Sequence, residues 1–250
     1  MLVVGDIHGD EAAGMRIARR LVASPPPAGV ELLIVPTINP DGVAADTRGN
    51  SHGVDLNRNF PFRWRPLGGG EYAGAGPLSE PESRAAHRLI LREEPDLTIW
   101  FHQPFGLVDR PEGNPFAARR FSQLIGLPLV RLRGPYPGSA TRWQNHRFPR
   151  STAFVVELPA QVNNNLVQRG GTAVRSLGLE LAAPAVSYSE NLGLSRGAMV
   201  GGWRASDQAM QGRREAEKQR YSADRGRRSA PVRRRQAPAS ASRARPLRGC

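Results

Sequence analysis

The segment "LVVGDIHGDEAAGMRIARRLVAS", residues 2–24, joins an apolar run to a polar loop and then to a helical pattern. Leu2–Val4 predicts a short β-strand, and residues 11–24 predict a helix. The apolar face of this helix comprises Ile17, Ala18, Leu21 and Val22. The loop between the two elements places a histidine and a glutamate three positions apart. A strand, a polar loop and a helix in this order are typical of an α/β protein, in which ligands bind beyond the carboxyl ends of the strands.

The same alternation of strands and helices continues to about residue 185. Further strands are predicted at residues 30–40, 96–104 and 152–159, and further helices at residues 79–95, 115–126 and 171–185. The strand at 30–40 is too apolar to be half exposed, so we expect it to be covered on both sides, as in a parallel sheet. Ser79 and Glu82 have the spacing of a capping box at a helix start. The predicted fold class is α/β, with a mostly parallel or mixed central sheet and helices on both faces.

The net charge of +13 is concentrated at one end of the chain. Residues 201–250 contain 14 Lys+Arg and four Asp+Glu, among many Ala, Ser and Pro. Such a composition cannot bury enough apolar surface to offset the entropy of the chain. We therefore predict a folded domain at residues 1–185 and a basic disordered tail at residues 200–250. Basic groups can neutralise phosphates, but the tail lacks interleaved aromatic residues and any binding fold. We therefore do not expect nucleic acid as a partner, other than through this tail.

Several classes of protein are excluded by simple features of the sequence. The single cysteine, Cys250, rules out an internal disulfide framework and a cysteine-based zinc site. No apolar run approaches the roughly 20 residues of a membrane span, so no membrane partner is expected. The first residues lack the charged and apolar regions of an export signal. We therefore expect a cytoplasmic protein.

Polar side chains stand where the predicted strands end. His8 and Glu11 follow the first strand, residues 39–41 follow the second, and His102 and Glu157 close the other two. Two neutral imidazoles and one carboxylate form a catalytic zinc set that leaves one coordination position for water. A carboxylate in an apolar strand is costly to bury without a partner, so Glu157 is more easily explained by function than by structure.

The segment "NPDGVAADTRGNSHGVDLNRNFP", residues 39–61, is the most specific part of the sequence. Together with the His-x-x-Glu pair and the strand-end histidine and glutamate, it resembles the zinc metallocarboxypeptidase family of the carboxypeptidase A type. "GPLSEPES" (76–83) and "YPGSATRW" (136–143) are similar to its bacterial branch, which includes murein peptide amidases. The resemblance covers about residues 1–160 and implies a catalytic domain.

The resemblance implies one Zn²⁺ per chain, held by His8, Glu11 and His102. Asp55 would hold a ligand histidine in the correct tautomer. Glu157 would be the general base, because that role requires a carboxylate near the metal but not on it.

Four further residues receive roles at the substrate by the same resemblance. Arg48 would polarise the scissile carbonyl and stabilise the oxyanion. Asn57 and Arg58 would bind the free carboxylate of the substrate, which a guanidinium can grip bidentately. Tyr136 would close over the bound substrate.

The implied function is zinc-dependent hydrolysis of the amide bond next to the free carboxylate of a peptide, with murein-derived peptides as the preferred substrate. Two alternatives stay open: an aspartoacylase-like deacylase of N-acyl amino acids, and an inactive remnant whose basic tail binds nucleic acid. Family members have one or two strands before the His-x-x-Glu pair. The resemblance therefore implies that N-terminal strands are missing from this sheet.

Overall fold

A computed structural model describes residues 1–183, which belong to one compact unit. The strands in this part of the chain are β1 (Leu2–Val4), β2 (Leu33–Val35), β3 (Leu97–His102), β4 (Phe105–Asp109), β5 (Leu129–Val130) and β6 (Thr152–Pro159). The helices are α1 (Ala13–Val22), α2 (Pro40–Ala45), α3 (Pro81–Glu93), α4 (Phe116–Ile125), α5 (Ala140–Arg147) and α6 (Asn164–Ala182). None of these helices is long and apolar enough to cross a membrane. The tail predicted at residues 200–250 lies outside the described residues.

The six strands form one mixed sheet in the order β2-β1-β3-β6-β4-β5. All paired neighbours run parallel except β4 and β6, which are antiparallel. In the pairing of β3 with β6, Leu97 lies opposite Thr152 and His102 lies opposite Glu157. The carboxyl ends of β1, β3 and β6 therefore lie at the same edge of the sheet.

Helices cover both faces of the sheet, as expected for this fold class. On one face Ile99 and Phe101 of β3 pack in a buried cluster with residues of α1, α4 and α6. On the other face Trp100 packs with residues of α3, α5 and the loop around Phe60. Because side chains alternate along a strand, β3 contributes to both cores and is buried along its whole length. The predicted fold class is confirmed.

Helix α1 lies unusually close to the sheet. A Cβ atom on Gly14 would lie 2.1 Å from the carbonyl oxygen of Gly5 and 2.3 Å from the Cβ of Phe101. Glycine permits this approach because it has no side chain at the point of contact. The loop that precedes the helix and carries His8 and Glu11 is thereby held against the ends of β1 and β3.

Three local expectations were wrong. The predicted strand at 30–40 shortens to Leu33–Val35, whose residues are all only half buried, because β2 pairs with β1 alone at the edge of the sheet. Val22 is 61% exposed at the last position of α1, where the helix turns away from the core. The capping box is absent: Glu80 is the N-cap of α3 without a side-chain cap bond, and the Ser79 hydroxyl donates to Glu80 Oε1 instead.

Candidate active site

The nine residues with predicted roles lie together at the carboxyl ends of β1, β3 and β6. A cavity of about 640 Å³ opens at this edge of the sheet. Its lining includes eight of the nine: His8, Glu11, Arg48, Asn57, Arg58, His102, Tyr136 and Glu157. The ninth, Asp55, is buried and bonded to His8. The structure thus brings the whole predicted set together, while the chemical role of each residue stays a prediction.

His8, Glu11 and His102 form a buried donor cluster. The two carboxylate oxygens of Glu11 face the two imidazoles, with Oε1 2.9 Å from His8 Nδ1 and Oε2 2.8 Å from His102 Nδ1. One ligand atom from each of the three residues can be chosen so that all lie within 4.8 Å of one another. Two imidazole nitrogens and one carboxylate oxygen at this spacing suit a zinc ion with an open coordination position.

Asp55 fixes the orientation of the His8 ring. Its Oδ1 lies 3.0 Å from His8 Nε2, and a carboxylate can only accept, so Nε2 donates. Asp55 is itself held by the short 3₁₀ turn Leu56–Arg58, for which it is the N-cap and accepts from the backbone N–H of Asn57. The Nδ1 atom of His8 is therefore the one directed at Glu11. Such a carboxylate–histidine pair is typical of the shell around zinc ligands.

The pKa values of the cluster show that it favours a positive charge at its centre. Burial opposes a charged His8, but its hydrogen bonds to Asp55 and Glu11 outweigh burial and raise its pKa to about 9. Burial also opposes charge on the two carboxylates, yet their hydrogen bonds to histidine keep the pKa of Glu11 and of Asp55 well below the usual range. Burial lowers the pKa of His102. Glu11 and Asp55 thus favour the protonated, positively charged form of His8. A bound metal ion would take the place of that extra proton.

Glu157 points into the cavity without a complete set of partners. It is 7% exposed, and its Oε2 is buried with no hydrogen-bond partner among the described residues. Burial, followed by the negative charge of Glu11, raises its pKa to about 8. An orphaned carboxyl oxygen beside a metal-type cluster fits a site that is completed by a cation and a water molecule.

Arg48 connects the cluster to the open side of the cavity. Its Nε and Nη2 donate to Asp55 Oδ2 at 3.0 and 2.8 Å, and its Nη1 lies 3.3 Å from Glu11 Oε1. About one third of the side chain stays exposed. A guanidinium placed here can offer an N–H to negative charge that develops next to the donor cluster.

Asn57, Arg58 and Tyr136 line the same cavity. Asn57 Oδ1 accepts from the backbone N–H of Ala140, which leaves its amide nitrogen on the cavity side, 3.5 Å from His102 Nε2. The guanidinium carbon of Arg58 lies 5.5 Å from the centre of the Tyr136 ring. Arg142 approaches the same ring at 5.1 Å. These residues supply amide, guanidinium and aromatic groups. Together they are suited to bind a ligand that carries a free carboxylate.

Sequence reasoning missed Gln103, which ties three parts of the site together. Its backbone N–H donates to Glu11 Oε2 at 3.2 Å. Its side-chain oxygen accepts from Ala13 N at 3.0 Å, at the start of α1, and its nitrogen donates to the carbonyl of Pro159 at 3.0 Å, at the end of β6. The only signal in the sequence was its position directly after His102 at a strand end.

Comparisons with known proteins support the family that the sequence resembles. Residues 1–111 match the zinc carboxypeptidase family. Murein peptide amidase A of Escherichia coli K12 is 31% identical over 157 residues, which cover 57% of this chain and 64% of that protein. This chain thus matches slightly less than two thirds of the length of that relative.

Two further likenesses extend over more of the relative. Murein peptide amidase A of Vibrio campbellii is 30% identical over 173 residues, or 63% of this chain and 68% of the relative. The crystal structure of murein-tripeptide amidase MpaA from Escherichia coli O157 superposes with a TM-score of 0.60 at 25% identity and covers 74% of this chain and 82% of that one. The chain belongs to the zinc carboxypeptidase family, and murein peptide amidases are among its relatives.

Proposed function

We propose that this protein is a zinc-dependent metallocarboxypeptidase or peptide amidase that hydrolyses the amide bond next to a free carboxylate. One observation carries the proposal: a single cavity contains the His-Glu-His cluster, a buried carboxyl with an unpartnered oxygen, and a buried arginine. Murein-derived peptides are the proposed substrates, a choice supported by the relatives named as murein peptide amidases. The catalytic domain is proposed to span residues 1–185, and a cytoplasmic location stays a prediction.

His8, Glu11 and His102 would hold one Zn²⁺. When bound, the ion supplies a Lewis acid that polarises a carbonyl and makes water easier to deprotonate at neutral pH. Asp55 keeps the His8 ring oriented for this role through the bond to Nε2.

The remaining residues transfer the proton, stabilise the developing negative charge and bind the substrate. Glu157 takes a proton from water and returns it to the leaving amine, a role that its unpartnered oxygen leaves open. Arg48 donates to the oxygen of the scissile carbonyl as negative charge develops there. Asn57 and Arg58 bind the free carboxylate and thereby place the neighbouring amide beside Glu157. The ring of Tyr136 covers that carboxylate and excludes water.

The test combines zinc content with hydrolysis. The purified protein should bind one zinc per chain and cleave peptides with a free carboxylate, including the murein tripeptide, but not the same peptides with that carboxylate amidated. Glu157→Gln should keep the zinc and lose hydrolysis by roughly 10²–10⁴-fold, which is the usual contribution of a general base, because an amide cannot replace it. The control is Glu180→Gln, which removes a carboxylate from an exposed ion pair with Arg120.

Two results would contradict the proposal. The role of Glu157 is wrong if Glu157→Gln hydrolyses as fast as the control. The substrate class is wrong if free and amidated peptides are cleaved equally. Cleavage of N-acyl amino acids with no cleavage of peptides would favour the aspartoacylase-like alternative.

A further inference from the structure

The guanidinium of Arg58 lies buried in the wall of the cavity. Its side chain is only 7% exposed. Nη1 donates to the carbonyl of Asn57 at 3.0 Å, and the guanidinium carbon lies over the Tyr136 ring, 5.5 Å from its centre. Nε is buried and has no partner among the described residues. The remaining nitrogen, Nη2, forms an ion pair with Glu71.

Glu71 reaches this nitrogen from an exposed glycine-rich turn. It is the last residue of the 3₁₀ turn Gly69–Glu71, which follows Gly68. A Cβ on any of the three glycines at 68–70 would meet no atom within 4 Å, so these glycines border open space. The end of the turn is tied to the domain by the next residue, Tyr72, whose carbonyl accepts from the backbone N–H of Asp55. The Glu71 side chain is 54% exposed and lines the same cavity as Arg58. Among the described residues, the hydrogen-bond partner of the Glu71 side chain is Arg58.

The contact places one carboxylate where another is expected to bind. A guanidinium grips a carboxylate through two neighbouring N–H groups, either Nη1 with Nη2 or Nε with Nη2. Nη2 belongs to both pairs. Nη2 is therefore needed in either binding mode, and Glu71 occupies it with a carboxylate, the same group that a substrate would bring.

We propose that Glu71 is a specificity-determining residue: an internal carboxylate that competes with the free carboxylate of the substrate for Arg58. The inference rests on the proposed function, in which Arg58 anchors that carboxylate. Arg58 keeps its position through Asn57 and Tyr136, so removing Glu71 frees the anchor rather than disordering it. Because Glu71 is 54% exposed, its ion pair with Arg58 is screened by solvent, and the competition is therefore worth about 2- to 5-fold in affinity. Ligands that lack the carboxylate gain nothing from displacing Glu71 and are unaffected by it.

The experiment measures binding, not turnover. The probes are N-acetyl-L-alanine and its neutral counterpart N-acetyl-L-alaninamide, titrated by NMR into the zinc-loaded full chain. Glu71→Gln should lower the Kd for the acid about 2- to 5-fold and leave the Kd for the amide unchanged. Arg58→Gln should weaken binding of the acid, and the gain from Glu71→Gln should disappear in the Arg58→Gln background. Glu180→Gln, which breaks a surface ion pair with Arg120 outside the cavity, should leave both Kd values unchanged.

The outcomes separate this inference from the function on which it rests. If Arg58→Gln weakens binding of the acid but Glu71→Gln does not lower the Kd for the acid, competition by Glu71 is refuted. Arg58 would then still be the residue that binds the carboxylate. A gain for both acid and amide would also refute it, because the effect would not depend on the carboxylate. If Arg58→Gln changes nothing for the acid, the carboxylate anchor of the proposed function is wrong, and the role of Glu71 falls with it.

Discussion

Replacing Glu157 by glutamine is expected to stabilise the metal-free protein, and more so as the pH rises. The carboxyl is buried with one unpartnered oxygen, and its pKa is about 8, against a usual value of 4.5. Between these two values the native state binds more protons than the unfolded state, so ionisation favours unfolding. Glutamine is neutral at every pH and does not carry this cost.

The size of the effect follows from the two pKa values. One pKa unit corresponds to about 1.4 kcal/mol, so over the three units between pH 5 and pH 8 the advantage of the variant should grow by roughly 3–4 kcal/mol. The free energy of unfolding of both proteins is measured by urea titration at the two pH values, with a chelator present. Taking the difference between the two proteins at each pH cancels the titration of groups that they share.

A variant whose advantage is the same at pH 5 and pH 8 would refute this reasoning, because the carboxyl would then titrate as an ordinary glutamate. Zinc provides an internal check. A cation next to Glu157 favours the ionised form, so the pH dependence of the difference should shrink in the zinc-loaded protein.

Three further predictions concern the support of the site. Asp55→Asn should weaken zinc binding by about 10- to 100-fold, measured by competition with a chromophoric chelator, because the bond to His8 Nε2 is changed; an unchanged affinity would refute this role. Gly14→Ala should lower the free energy of unfolding in urea by roughly 1–3 kcal/mol, since the added Cβ collides with backbone. Gly171→Ala, whose added Cβ has its nearest neighbour at 3.6 Å, should instead raise it by about 0.5–1 kcal/mol; equal effects at the two glycines would contradict the packing argument. Phe121→Ala should cost about 3–5 kcal/mol of stability in the same assay and leave the zinc affinity unchanged, because the ring is fully buried away from the cavity.

The donor cluster and Glu157 could be predicted from the sequence because they stand at or just after the ends of apolar strands, whereas Arg48, Asp55, Asn57, Arg58 and Tyr136 were assigned by family resemblance. His102 ends β3 and Glu157 lies two residues before the end of β6; these are the two longest strands, and both were predicted to within two residues. Parallel pairing then places strand ends together without further information. The helix α1 was predicted equally well, apart from Val22, because its apolar residues recur with helical spacing.

The parts that the sequence did not reveal depend on tertiary contacts. Helix α5 has no continuous apolar face: Gln144 is fully buried, where its amide nitrogen donates to the Thr98 hydroxyl at 2.7 Å. Strand β4 begins with Phe105, which is 64% exposed, so it shows no clean alternation. The bonds of Gln103 and the ion pair of Glu71 join residues from separate loops and strands, and local sequence patterns carry no information about such pairs.

The register of β3 against β6 has a consequence for how this chain tolerates length changes. Opposite His102 stands Glu157, and side chains along a strand alternate between the two faces. A single inserted or deleted residue within β6 would turn the glutamate to the opposite face and offer an apolar neighbour in its place. Two such changes would restore the face but shift the carboxyl by about 6–7 Å along the strand. Loops around this cavity should therefore tolerate insertions and deletions better than β6, in which the number of residues before Glu157 determines where its carboxyl lies.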